Sequence, residues 1–458
     1  MPPDNEQPHT GRLMTVLTQE AVEWMKQAAG AVEFTDLGQF RGPGHAELQQ
    51  ILKRHATVTF RAVRSVGIPE IIDLEKAAQE GPFRPAHSLL AYWIVSPAPG
   101  AVESDLAALE EALNRLRQVF ESVQREEAVG APPVNWQNDK YARDQFHLNE
   151  PPKGIDAKYA WRQGIDGAGI GFADVEMGWN RSHQDLKSKM PSRLLTHRNY
   201  AKYADHGTAV LGLVVGSDNA KGIVGIAPGV TSVFLASHWD RSSANNVADA
   251  VATAATRLRV GDVLLLEAQT AKNDPIELLA GGAELTAIQV AASRGLIVIE
   301  AAGNGGRNLD PSFPATRPDS GAIMVGASVG NDPPPSMKQP SHARLVNSNY
   351  GARVDCFAPG ICLVTAGGGD LDAGGGATNR KYSAAFRNTS GASAIVAGVA
   401  ILAQHMSVTA SGLPLDARKM KAVLTQTGRK QSAPDGNIGM MPDLRRIAGR
   451  LLGNVVPA

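Results

Sequence analysis

Three polar residues in this 458-residue chain stand where chemistry can be done: Asp174, His206 and Ser390. Asp174 ends the apolar run "GIGFAD", His206 opens "HGTAVLGLVVG", and Ser390 opens "SGASAIVAGVAILAQ". A serine hydroxyl is a poor nucleophile until a neighbouring imidazole takes its proton. The imidazole in turn needs a carboxylate to fix its tautomer and stabilise its charged form. A helix beginning at the serine adds unpaired N–H groups and partial positive charge near a developing oxyanion. Singly, each residue has an ordinary reading: a strand-end Asp as a turn residue, a His as a structural histidine, a Ser as an N-cap. Together they form a candidate nucleophilic triad.

Such a triad must be positioned by elements far apart in the chain. Five apolar runs read as buried strands: "AGIGFADV" (168–175), "TSVFLASH" (231–238), "DVLLLEA" (262–268), "GLIVIEAAGN" (295–304) and "GAIMVGAS" (321–328). Helical patterns such as "NNVADAVATAATRL" and "ELTAIQVAASR" lie between them. Continuous apolar strands alternating with helices predict an α/β domain with a parallel sheet covered on both faces. In such sheets the site lies beyond the carboxyl ends of the strands.

The first part of the chain reads differently. "AELQQILKRH" predicts a helix, and "TVTFRAV" and "SLLAYWIVS" predict strands. In "ESDLAALEEALNRLRQVFESV", Leu106, Leu109, Leu113, Leu116, Phe120 and Val123 recur at steps of three and four, one face of a helix. Ser104 or Asp105 is positioned to cap it, and its last turns read equally as a strand, "VFESVQ". This predicts a small α+β unit over residues 1–130. The segment "VGAPPVNWQNDKY" (129–141), with its consecutive prolines, reads as a linker to a second domain over 131–458.

The surrounding letters sharpen the triad. "HGTAVLGLVVGSDNAKGIVGIAPG", "NTSGASAIVAG", "AAGN" at 301–304 and "GIGFADVEMGWNRSHQDL" resemble, in this order, the His, Ser, oxyanion-asparagine and Asp segments of the subtilisin-like serine peptidases, the subtilases. The order Asp, His, Ser is also that of subtilisin, the worked example of the triad principle. The resemblance covers about residues 138–430 and implies a serine endopeptidase acting through an acyl-enzyme intermediate. It implies Ser390 as nucleophile, His206 as base and then acid, Asp174 as the orienting carboxylate, and Asn304 as an oxyanion donor. It also implies that "LLLEAQT" (264–270) binds a polypeptide substrate by strand addition, with Glu267, Ala268 and Gln269 flanking a pocket.

Departures from the family pattern are visible. Asn388 stands where Gly precedes Thr-Ser, Ala394 replaces a proline, and the Asp segment's usual Asp-Ser/Thr-Gly is interrupted after Asp174 by Val175-Glu176. Asn tolerates positive φ better than other non-glycine residues. In the family a small N-terminal unit often packs on the protease as an inhibitory segment, so latency until this unit is displaced, or cleaved within 125–137, is expected. The alternative is a catalytically impaired subtilase fold that binds proteins or peptides.

Bulk composition bounds the rest. Lys plus Arg and Asp plus Glu are 45 each, so no basic excess points to nucleic acid. The longest apolar runs read as buried core helices, and no membrane partner is expected. The start shows early acidic residues and no apolar h-region, which makes a cytoplasmic location the expectation, with export by another route left open. Cys356 and Cys362 read as buried free thiols, a small disulfide loop being the alternative. No cofactor is expected. Asp370 and Asp372 in "GGGDLDAGGGATN" alternate as calcium ligands can, without completing a recognised loop, so a structural calcium is left unlocated.

Overall fold

The computed structural model describes residues 9–28, 35–63, 66–79, 85–98, 101–127, 134–190, 194–196, 199–239, 245–331, 339–432 and 435–453. The chain divides into two compact units, one chiefly residues 1–130 and the other chiefly 131–449.

The first unit contains β1 (His9–Leu17), α1 (Gln19–Ala28), α2 (His45–Arg54), β2 (Val58–Arg61), α3 (Ile68–Gln79), β3 (Tyr92–Ser96), α4 (Glu103–Arg115) and β4 (Phe120–Glu127). Its sheet runs β2-β3-β1-β4, with antiparallel pairs throughout. In β1, Leu13, Thr15 and Leu17 are buried at alternate positions, the period of a strand with one face on a core. Leu106, Leu109 and Leu113 of α4 join Leu13, Leu17, Met25, Leu48 and Trp93 in that core. At the start of α4, Asp105 accepts from the Val102 backbone N–H at 2.9 Å. The leucine-rich helix stops at Arg115, and "VFESVQ" is strand.

The second unit contains α5 (Ala157–Arg162), β5 (Gly171–Glu176), α6 (Ala204–Val215), β6 (Ser232–Ser237), α7 (Val247–Ala255), β7 (Val263–Leu266), α8 (Ala283–Ser293), β8 (Ile297–Ala301), β9 (Ile323–Ser328), β10 (Cys356–Pro359), β11 (Leu363–Ala366), β12 (Tyr382–Phe386), α9 (Asn388–Ser411), α10 (Ala417–Gln426), β13 (Arg429–Lys430), β14 (Met440–Met441) and α11 (Leu444–Leu452). The main sheet has the order β13-β14-β10-β9-β8-β7-β5-β6. All its pairs are parallel except β13 with β14. The five apolar runs are the adjacent strands β6, β5, β7, β8 and β9. From β5 the chain goes first to β6 on one side and later to β7 on the other, so the ends of β5 and β7 flank a topological switch point.

Alternation along the strands assigns their faces. Ala173 and Val175 of β5, and Leu264 and Leu266 of β7, pack in one core with Val251 and Ala254 of α7 and Ile288 and Ala291 of α8. Asp174 and Glu176 therefore point to the opposite face. Helix α9 is long and apolar enough to cross a membrane, but 89% of that window is buried inside the protein. It is a core helix. Cys356 is buried, Cys362 is exposed, and both are free.

Candidate active site

Glu176 is the last residue of β5 and its side chain is almost fully buried. Its Oε2 accepts from the Met177 backbone N–H at 2.9 Å, which fixes the carboxylate. Its Oε1 lies 2.9 Å from His206 Nδ1, a hydrogen-bond distance although off the N–H axis. His206 sits in the first turn of α6, with its side chain 38% exposed. The ring edge meets Phe386 at a centroid separation of 5.4 Å.

Close approach of α6 to the segment after β5 depends on Gly207. A Cβ there would come within 2.4 Å of the Gly178 carbonyl oxygen. Thr208 fastens the same contact by accepting from the Asn180 N–H at 2.7 Å.

The carboxylate beside His206 is thus Glu176, and the expectation that Asp174 orients the imidazole is corrected on this geometry. Asp174 Oδ2 accepts from Trp179 Nε1 at 2.7 Å, and Oδ1 has no hydrogen-bond partner among the described residues. Burial, with Glu176 nearby, pushes the Asp174 carboxyl up to about 8. Burial also acts against Glu176, but His206 overrides it and holds Glu176 below the ordinary carboxylate range. For His206, burial favours the neutral ring, and the adjacent Glu176 charge outweighs it to raise the pKa.

A signal for Glu176 was present. The Asp segment carries a carboxylate two residues before glycine, and Glu176-Met177-Gly178 keeps that spacing where Asp174 does not.

Ser390 lies in the first turn of α9 and is 6% exposed. Asn388, just before the Thr389-Ser390 pair, has φ of 72°, the left-handed conformation that the Gly-to-Asn departure required. Its side-chain oxygen accepts from Asn347 Nδ2 at 2.8 Å. Asn304 follows β8, and its Oδ1 accepts from the Thr389 backbone N–H at 3.1 Å and from the Thr389 hydroxyl at 2.9 Å. These bonds orient the amide so that Nδ2 donates, here to Gln269 Oε1 at 3.2 Å. Ser390, His206 and Asn304 are therefore all at the carboxyl-end side of the sheet, tied by Thr389 and Glu176.

Glu267 was expected to flank a substrate pocket, but its side chain is fully buried. The reason is register. It lies one step beyond the paired Val175 and Leu266, on the face shared with Glu176. Glu267 Oε2 stands 3.9 Å from His206 Nδ1, and Oε1 lies 3.1 Å from Ser393 Oγ. Ala268 is half-buried and Gln269 exposed. Gln269 also donates to Asn273 Oδ1 at 3.0 Å.

Glu176, His206 and Glu267 offer three potential ligand atoms within 4.8 Å of one another. With His206 Nδ1 already facing Glu176, we read the group as a carboxyl–imidazole cluster. Two carboxylates that close would repel by roughly 3.5 kcal/mol or more at an effective dielectric of about 20, so one charge at most is comfortable. Burial, with Asp174 and Glu176 nearby, pushes Glu267 well up. Glu176, by contrast, is held down by His206.

The Asp370 and Asp372 carboxylates are engaged by protein donors. Asp370 accepts from the Ala384 N–H at 2.9 Å, and Asp372 from the Gly374 N–H at 2.8 Å and from Tyr141 and Lys140 side chains.

The Subtilase family matches residues 175–440. Alkaline elastase YaB of Bacillus sp. (strain YaB) is 27% identical over 266 residues, 57% of this chain and 61% of that protein. An extracellular protease of Xanthomonas campestris pv. campestris is 31% identical over 214 residues, 45% of this chain and 33% of that protein. Subtilisin DY of Bacillus licheniformis is 28% identical over 269 residues, 56% and 85% of the two chains. The chain thus spans under two thirds of the length of the first two relatives. In fold it is similar to a protease of Pseudoalteromonas arctica, with TM-score 0.51, 21% identity, and 68% of this chain and 98% of that one covered. On the match over residues 175–440, this chain belongs to the Subtilase family.

Proposed function

We propose that the chain is a serine endopeptidase with a Glu176–His206–Ser390 triad. The observation that carries this reading is the 2.9 Å contact between His206 Nδ1 and Glu176, beyond the end of β5. With Nδ1 carrying its proton beside Glu176, the Nε2 lone pair is free to act as a base. A resting hydrogen bond that is off-axis tightens when substrate binds. Ser390 Oγ attacks the scissile carbonyl carbon as its proton passes to His206 Nε2. The tetrahedral oxyanion is met by Asn304 Nδ2–H and the Ser390 backbone N–H. The imidazolium, stabilised by ionised Glu176, then protonates the leaving amine and the C–N bond breaks. Water enters by the same path to release the acyl group. Asn304 must exchange Gln269 Oε1 for the oxyanion, so Gln269 turns aside in the working state.

The substrate on this reading is an extended polypeptide laid beside Ala268 and Gln269. The unit over residues 1–130 acts as an intramolecular inhibitor or a permanent regulatory domain. The proposed junction at 125–137 lies partly outside the described residues. N-terminal sequencing of protein incubated at neutral pH distinguishes the two roles, since an intact chain in an active sample removes the cleavable version.

The decisive test uses a fluorophosphonate probe on wild type and Ser390→Ala, before and after limited proteolysis of the N-terminal unit. Labelling of wild type that disappears in Ser390→Ala is expected. Failure to label wild type in either state would instead leave a subtilase fold used for binding.

A further inference from the structure

The cluster around His206 contains one carboxyl group that the triad does not use. Glu267 is fully buried, its Oε2 has no hydrogen-bond partner among the described residues, and that atom faces His206 Nδ1 at 3.9 Å. Its other oxygen contacts Ser393, one turn along α9 from Ser390. Ser393 Oγ lies 3.1 Å from Glu267 Oε1 and also 3.1 Å from the Ser390 carbonyl oxygen. A hydroxyl has one proton to donate. If Glu267 were ionised, both neighbours of Ser393 Oγ would be pure acceptors competing for that proton. If Glu267 carries a proton, it donates to Ser393 Oγ, and Ser393 donates to the Ser390 carbonyl. Both contacts are then satisfied.

We propose that Glu267 is a positioning residue held as an uncharged carboxylic acid, linking the turn that carries Ser390 to the strand ends that carry Glu176. This deepens the proposed function and rests on it for its catalytic consequence. The titratable groups facing Glu267 are Asp174 and Glu176 from β5 and His206 from α6, and Ser393 faces it from α9. Of the two glutamates Glu176 lies nearer to His206 Nδ1, at 2.9 Å against 3.9 Å, so it keeps the charge and Glu267 keeps the proton. An uncharged group beside Nδ1 leaves Glu176 as the sole charged acceptor for the imidazole proton. A charged Glu267 would compete for that proton and turn the ring. Burial and the two neighbouring carboxyls act in the same direction on Glu267.

The test compares Glu267→Gln, Glu267→Leu and Ser393→Ala in the full chain. Gln keeps the shape, the neutrality and a donor toward Ser393. Glu267→Gln is expected to hold kcat/KM within about threefold of wild type and leave the acidic limb of its pH profile in place. Glu267→Leu is expected to lower kcat by roughly 10- to 100-fold at nearly unchanged KM, the pattern of a lost transition-state alignment. Ser393→Ala should lose less, and Glu267→Leu/Ser393→Ala no more than Glu267→Leu alone. Two readouts do not require activity. The infrared difference between wild type and Glu267→Gln at neutral pH should contain a protonated-carboxyl stretch, and the His206 titration followed by NMR should coincide in the two proteins. A carboxylate stretch in that difference, or a His206 pKa that drops by a unit or more in Glu267→Gln, overturns the proposal. Absence of fluorophosphonate labelling in wild type would instead overturn the proposed function and leave these two readouts to decide on Glu267. If Glu267→Leu unfolds, Glu267→Gln and Ser393→Ala still settle the matter.

Discussion

Replacing Glu176 by Gln removes the charge beside His206 while nearly preserving shape. At 2.9 Å, unit charges attract by about 6 kcal/mol at an effective dielectric of 20 and by about 1.4 kcal/mol in bulk water. The imidazole is 38% exposed, so solvent screens the pair and the lower part of that range applies, about 1.5–3 kcal/mol. In the proposed triad His206 must be neutral to accept the Ser390 proton, so activity should rise with pH through its pKa. Glu176 raises that pKa above the ordinary 6.5. In Glu176→Gln the acidic limb of kcat/KM should therefore move down by about one to two pH units. The same charge stabilises the imidazolium formed in the transition state, and its carboxylate fixes the ring tautomer. Loss of both should reduce kcat by roughly 10²- to 10⁴-fold on the alkaline plateau. The assay is hydrolysis of a peptide p-nitroanilide from pH 5 to 10, with Asp174→Asn in parallel. Asn can still accept from Trp179, and that variant should stay within about threefold of wild type. Wild-type kinetics in Glu176→Gln, with a large loss in Asp174→Asn, would refute the reasoning and return the orienting role to Asp174.

Other outcomes follow from single contacts. Asn304→Ala should cost about 3 kcal/mol of transition-state stabilisation, read as a kcat loss of about 100-fold or more with little change in KM. Asn388→Val puts a β-branched residue at φ of 72° and should lower Tm and kcat together, whereas Asn388→Gly should leave both near wild type. Gly207→Ala drives a methyl into the Gly178 carbonyl, and urea denaturation should report a loss of about 1–3 kcal/mol. Asp174 bears on stability. Its folded pKa of about 8 exceeds its unfolded value, so the folded state keeps a proton that the unfolded state releases. Stability should fall as pH rises from about 4 to about 8. Thermal melts of Asp174→Asn should show a weaker decline over that window, and parallel curves for the two proteins would sink the assignment.

The parts of this fold that showed in the sequence are those where burial is continuous. The strands β5 to β9 are buried on nearly every residue, so their apolar runs are unbroken. In contrast, β1 alternates the buried Leu13, Thr15 and Leu17 with the half-buried Arg12, Met14 and Val16 because only one face meets a core, and it gave no run to see. Strands β13 and β14 have two residues each, too few for any periodicity. In the site, Ser390, His206 and Asn304 were legible because each follows or opens a buried element with a specific local motif. The direction of Glu267 was not, since it depends on register between β5 and β7, whereas Glu176 was marked by its spacing to Gly178. Register is a property of two strands, and neither strand alone encodes it.

Position along β5 explains why a glutamate meets the imidazole. Asp174 and Glu176 share a face, two residues apart, which along a strand is about 6.6 Å. An extra methylene changes side-chain reach by only about 1.5 Å. Length therefore cannot exchange the two positions. An acid at 174 lies one pleat deeper, where the Trp179 indole meets it and no cation among the described residues forms an ion pair with it. An acid at 176 sits where β5 ends and the backbone turns, so Met177 can donate to one oxygen while His206 meets the other. The strand end, not the acid's identity, selects the partner of the imidazole. Asp at 176 should consequently retain part of the function by a small shift of α6, while no single substitution at 174 should take the role over when 176 is Gln.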